Sequence, residues 1–249
     1  MLKTVSFYIL FCWVTNIVIA QQHPQFIKVE GGTFIMGDQT GNGEGNEKPP
    51  HEVTVNTFSI SKTEVTVAQY RAYCIATNQD MPEEPFWGWQ NQHPVVNVTW
   101  DEVVKYTQWL SKTLGKKIRL PYEAEWEFAA KGGNKSKGYI LSGTNSIDDV
   151  WFEDNSNDQP HNVATKVPNE LGLYDMSGNV WEWCLDYYDK LYYQYTKLNN
   201  PHGPQTGNRR VVRGGGYFYK PIYCRVTQRS HSEPNYRAYV FGFRVIAEE

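Results

Sequence analysis

Asn169-Glu170-Leu171-Gly172-Leu173-Tyr174-Asp175-Met176-Ser177-Gly178-Asn179-Val180-Trp181-Glu182-Trp183 is the stretch on which the reading of this chain turns. It sets two acids (Asp175, Glu182), an amide (Asn179), a permissive glycine (Gly178) and two tryptophans within a few residues. Hard oxygen ligands beside a glycine turn suit calcium, which takes carboxylates and backbone carbonyls together. A tight turn with aromatic packing on either side is the alternative, and the residues alone leave both open.

Working outward, three further blocks stand in order along the chain. Residues 29–37 read Val-Glu-Gly-Gly-Thr-Phe-Ile-Met-Gly, and residues 118–133 read Ile-Arg-Leu-Pro-Tyr-Glu-Ala-Glu-Trp-Glu-Phe-Ala-Ala-Lys-Gly-Gly. Residues 213–216 are Arg-Gly-Gly-Gly, and residues 242–244 are Gly-Phe-Arg. Together with the central stretch these blocks resemble the sulfatase-modifying-factor family, whose founding members are formylglycine-generating enzymes. Tyr122 stands where that family usually has Thr. The resemblance spans almost all of the chain after its first 20 residues and implies the family's fold, related to C-type lectin domains.

Residues 1–20 read as a signal peptide. Lys3 gives a positive start, residues 5–20 are apolar but too short and interrupted to span a bilayer, and Val18-Ile19-Ala20 resembles a cleavage site. An uncleaved anchor is the alternative. Residues 21–249 then form one exported domain, periplasmic or extracellular, with no transmembrane helix after cleavage. The formal charge of −3, with acids and bases intermixed, argues against nucleic acid as a partner. Three cysteines follow the leader, Cys74, Cys184 and Cys224, with no zinc-type spacing. Free buried thiols are their simplest reading.

Local signals predict three helices. Thr66 with Gln69 fits a capping box, followed by Val67, Tyr70, Tyr73 and Cys74 on one face. Thr99 with Glu102 forms a second box, opening a helix whose apolar face is Val103, Tyr106, Leu110 and Leu114 and which Gly115 can end. A third covers about 123–130, stopped by Gly132-Gly133. Alternation over 52–60 predicts a short strand, and residues 211–213 and 243–246 predict two more. Residues 38–50 read as a polar loop. With no regular strand–helix alternation, the class is α+β with much irregular structure.

The resemblance implies candidate sites. A structural calcium would take Asp175, Gly178, Val180 and Glu182, with carbonyls from Gly178 and Val180. Asn155 and Ser156, in the oxygen-rich run 153–158, offer a second calcium site, or a solvated acidic loop. In the resembled oxidases two thiolates five residues apart hold copper(I), which oxidises the cysteine of a sulfatase Cys-x-Pro-x-Arg segment. Here Cys224 falls on the second thiolate and Tyr219 on the first, and Gly216 stands where the family has a pocket serine. One thiolate does not make a two-sulfur Cu+ site, because a tyrosine oxygen is hard and of high pKa. Trp181 matches the family's pocket tryptophan.

The last 41 residues hold seven arginines interleaved with tyrosines. Arg213, Tyr219 and Arg229 are candidates for holding a sulfated glycan or a peptide. An internal ion-pair network is the alternative. Two main functions follow: support of sulfatase maturation through a sulfatase or its Cys-x-Pro-x-Arg peptide, or a non-catalytic module binding a glycan, peptide or envelope protein. An iron-dependent oxidase built on the scattered histidines ranks last.

Overall fold

The computed structural model describes residues 23–248, so the predicted leader lies outside the described residues. Ten strands are present among them: β1 Phe26–Val29, β2 Gly32–Met36, β3 His51–Val55, β4 Phe58–Ser61, β5 Ile118–Arg119, β6 Trp181–Tyr187, β7 Arg210–Arg213, β8 Arg229–Ser232, β9 Phe241–Gly242 and β10 Ile246–Ala247. They form a sheet of order β1-β4-β10-β5, a β2-β3 pair and a sheet of order β8-β7-β6-β9. Every pairing is antiparallel except β6 with β9. The class is the expected mixture of helix and sheet with long irregular connections.

The helices are α1 Val67–Thr77, α2 Trp100–Leu114 and α3 Glu123–Ala130. Both predicted capping boxes form. The Thr66 hydroxyl accepts the Gln69 N–H while Gln69 returns to the Thr66 N–H, and Thr99 and Glu102 do the same. Each satisfies two orphan donors at a helix start, a contribution of about 1 kcal/mol per cap. Gly115 closes α2 at φ 64°. Tyr70, Tyr73 and Tyr106 pack against one another with ring centroids 5.3–5.6 Å apart, tying α1 to α2.

Two strand expectations change. Residues 52–60 hold two strands, β3 and β4, rather than one, because β3 pairs with β2 and β4 with β1. Residues 243–246 are not one strand either. The chain leaves one sheet after β9 and enters the other at β10, and the crossing segment, residues 243–245, carries Arg244 into the interior. Its backbone is still satisfied: the Phe243 carbonyl accepts the Val65 N–H and the Val245 carbonyl accepts the Ser61 N–H. The signature ends in the longest strand of the molecule as described, β6. This strand is buried on both faces, with Trp181 and Trp183 on one side and Glu182 and Cys184 on the other. No helix among the described residues is long and apolar enough to cross a membrane.

Candidate functional site: an aromatic cleft above β6 and β7

Trp181, the first residue of β6, and Tyr219, in the loop that leaves β7, meet edge to face with centroids 5.5 Å apart. Gly214 and Gly215 start that loop at φ 99° and 76°, and a Cβ on Gly215 would lie 2.6 Å from the Tyr223 carbonyl, so the turn requires glycine. Around this pair opens a cleft of about 460 Å³, within the size range of ligand sites. Tyr188 beyond β6, Tyr223, His231 on β8 and Asn46 are among its walls, with Arg229, Lys190 and Glu44. Tyr188 and His231 pack with centroids 4.1 Å apart. The Asn46 amide donates to the Tyr188 hydroxyl at 3.0 Å, and its oxygen is buried without a partner among the described residues. Burial pushes the Tyr219 phenol up, and the neighbouring Trp181 indole pulls the other way.

Cys224 lies outside this cleft's walls. It is fully buried against Leu141, Val150 and Phe152, and burial pushes its thiol up to about 12. A thiol held neutral in apolar packing is a poor nucleophile and a poor copper ligand. Cys74 sits on α1 with its thiol toward the Asp80 carbonyl, Cys184 is buried in β6, and none of the three is in a disulfide. The two-thiolate donor set that the resemblance implies for Cu+ therefore does not fit these residues. The missing pocket serine is not a steric matter: a Cβ on Gly216 would meet its neighbours at ordinary distances of 3.4–3.5 Å.

Arg213 and Arg229, read as candidates for a binding surface, are inside the protein. Both are almost wholly inaccessible. Arg213 donates to Glu123 at 2.8 Å, to Glu127 at 2.7 Å and to the Val226 carbonyl at 2.7 Å. Arg229 forks onto both oxygens of Glu123 at 2.7 and 2.8 Å, with Asn46 O as a further acceptor. A buried guanidinium needs such partners, and the acids of α3 supply them. The internal network is the arrangement found: Tyr219 and part of Arg229 reach the cleft wall, but the Arg229 guanidinium is committed to Glu123.

The calcium candidates lie below, at the signature turn. Gly178 has φ 81°, and a Cβ there would lie 2.2 Å from the Trp151 carbonyl. Asp175 is buried at φ 58° and accepts the Ala164 N–H at 2.7 Å. Glu182 has both oxygens on Arg244, at 2.6 and 2.7 Å, and accepts the Trp126 indole N–H. A third acid, Glu64, was not singled out in the sequence. One of its oxygens accepts the Asn179 amide and the other is buried with no partner. Of these three carboxylates only Glu182 is paired with Arg244. Burial first, then repulsion from Asp175 and Glu182, pushes Glu64 well above the usual carboxylate range, and burial chiefly lifts Asp175 to about 6. Among the described residues no three His, Cys, Asp or Glu side chains converge into a ready metal shell. The orphaned Glu64 oxygen in this acid-rich cluster is nevertheless a donor of the kind calcium takes, alongside backbone carbonyls, while Glu182 is committed to Arg244 and Trp126. Asn155 and Ser156 have local partners: Asn155 bridges Phe152 N–H and Val150 O, and the Ser156 hydroxyl donates to Tyr217 O at 2.9 Å. No carboxylate joins them in those bonds.

The described fold agrees with comparisons across known proteins. The sulfatase-modifying factor enzyme 1-like domain matches residues 16–249. A formylglycine-generating enzyme of Streptomyces coelicolor is 31% identical, the match covering 88% of this chain and 87% of that one. PvdO from Pseudomonas aeruginosa superposes with a TM-score of 0.81 at 27% identity, over 92% of this chain and 95% of that one. Treponema denticola variable protein 1 does so with 0.78 at 27% identity, over 90% and 95%. The chain belongs to the sulfatase-modifying-factor (formylglycine-generating-enzyme-like) family.

Proposed function

We propose that this protein is a ligand-binding member of its family that does not carry out copper-dependent oxidation. One observation carries the reading: Cys224 is sealed in apolar packing, while the residue on the cleft side at the other carried-over copper position is Tyr219. What remains at the family's reactive position is an aromatic cleft with hydrogen-bonding groups, suited to holding a ligand. In this proposal the protein is exported, and a structural calcium at Asp175, Glu64 and the Gly178 and Val180 carbonyls ties down the signature loop. Competition with a chromophoric Cu(I) chelator tests it. The folded protein should leave the chelator's colour unchanged, and stoichiometric withdrawal of Cu(I) would refute the reading.

The second reading is support of sulfatase maturation by engaging the Cys-x-Pro-x-Arg segment. It is favoured by the similarity to proteins named as formylglycine-generating enzymes over most of both chains. Pull-down of a sulfatase with wild-type protein, lost on narrowing the cleft, would raise it above the first.

A further inference from the structure

We propose that the cleft between Trp181, Tyr188, Tyr219 and Tyr223 binds an uncharged saccharide. The inference rests on the cleft being a copper-free binding site, as proposed above, and adds the chemistry of its occupant. Three features of the walls carry it.

The first is the fate of the cations. A sulfate or carboxylate would be read by guanidinium forks. The arginine that reaches the cleft wall, Arg229, is bound to both oxygens of Glu123 and to the carbonyl of Asn46, and Arg213 is deeper still. Arg225 is likewise forked onto Glu47 at 2.8 Å for both bonds. Lys190 and Glu44, one charge of each sign, both line the cleft. His231 is held below its ordinary value by burial and by Arg209, which keeps it neutral near pH 7. The residues lining the cleft therefore offer no surplus cation; Arg209 meets His231 at 3.3 Å from outside that lining.

The second is the hydrogen-bonding pattern. Tyr219 lines the cleft, and its phenol can both donate and accept. The Tyr188 oxygen accepts from Asn46, leaving its O–H to donate as well. The Asn46 side-chain oxygen lies behind this wall, fully buried and without a partner among the described residues. Phenol hydroxyls at the wall are complementary to sugar hydroxyls, since both kinds donate and accept.

The third is shape. Tyr223 is more than a third exposed at the mouth, and Tyr219 and Tyr188 are half-buried below it. Flat rings of this kind pack against the C–H face of a pyranose while their hydroxyls reach its edge.

The test uses the intact folded domain and three neutral trisaccharides as probes: maltotriose, cellotriose and triacetylchitotriose. Saturation transfer from protein to sugar, and tryptophan fluorescence, are followed at millimolar concentrations. At least one probe should bind. Tyr219→Phe and Tyr223→Ala should each weaken it about tenfold, the loss of one hydrogen bond or one ring contact. Phe86→Ala, on an exposed ring that does not line the cleft, should leave affinity unchanged. Thermal melts confirm folding of each variant. No transfer to any of the three sugars overturns the proposal, as does tighter binding of a sulfated trisaccharide or binding that survives both cleft variants. Cleft-dependent binding of a Cys-x-Pro-x-Arg peptide in place of sugar overturns the saccharide while leaving the copper-free cleft intact. Oxidation of that peptide would instead overturn the reading beneath it.

Discussion

Replacing Arg213 with methionine tests the buried network by magnitude and by rank. Arg213 is wholly inaccessible and makes bonds of 2.7–2.8 Å to Glu123, Glu127 and Val226 O, with the Tyr193 hydroxyl at 3.4 Å. Methionine keeps the apolar stem and removes the fork. Neither carboxylate is then stranded: Glu127 retains Lys131 at 2.7 Å and the Gly37 N–H at 2.8 Å, and Glu123 retains both bonds from Arg229. The loss is one buried carbonyl without its donor and two weakened ion pairs. Breaking a buried pair costs about 3–5 kcal/mol, and the retained partners place Arg213→Met near the low end, about 3 kcal/mol. Glu123→Gln should cost more, about 5 kcal/mol, because Arg229 then keeps only carbonyl acceptors and Arg213 loses one of its two anions. Urea unfolding followed by tryptophan fluorescence reads both as midpoint shifts at constant slope. A cost below about 1 kcal/mol for Arg213→Met, or the reverse order of the two variants, would refute the network and return Arg213 to a surface role.

Three further outcomes follow from the same geometry. Adding calcium to about a hundredfold over its dissociation constant should stabilise the fold by about 2.7 kcal/mol, a Tm rise of about 5–10 °C that a chelator reverses; an unchanged Tm would remove calcium from the signature turn. Cys74, Cys184 and Cys224 should resist iodoacetamide at pH 8 in the native state and react on unfolding, and rapid native labelling of Cys224 would show a thiolate that its burial forbids. Lys131 and Arg213 hold Glu127 down at about 2, against the opposing effect of burial. Its folded-state pKa is depressed, so its contribution, about 3 kcal/mol, is present above pH 4.5 and lost as pH falls toward 2. Glu64, Asp175 and Asp186 are raised and act in the opposite sense, so the difference between wild type and Glu127→Gln, measured by urea midpoint across that window, isolates the effect; a pH-independent difference would contradict it.

Much of the helical framework was legible because its signals are local. Thr66 and Gln69, or Thr99 and Glu102, are three residues apart and satisfy each other whatever the rest of the chain does. The strands were harder, since pairing is decided at long range: residues 243–246 look like one strand until two different sheets claim their ends. The arginines illustrate the same limit. Their type told of forks seeking anions, but Glu123 lies 90 residues from Arg213 and 106 from Arg229, and nothing local said whether the anion was a ligand or part of the chain. At the cleft, Trp181 and Tyr219 came from the family pattern. Asn46 and Tyr188 are brought there only by the fold, 142 residues apart in sequence. Glu64 joined the acidic cluster in the same way, through a hydrogen bond with Asn179 across 115 residues.

The central proposal is a family member whose cleft binds a ligand without copper-dependent oxidation. Incubating the folded protein with copper, oxygen and a peptide containing Cys-x-Pro-x-Arg, and following the peptide's mass, tests it most directly. The account predicts an unchanged cysteine mass, with calcium present or absent. Conversion of the cysteine to the aldehyde, abolished by Cys224→Ala in a variant shown to be folded, would contradict it and make Cys224 a reactive thiol despite its burial.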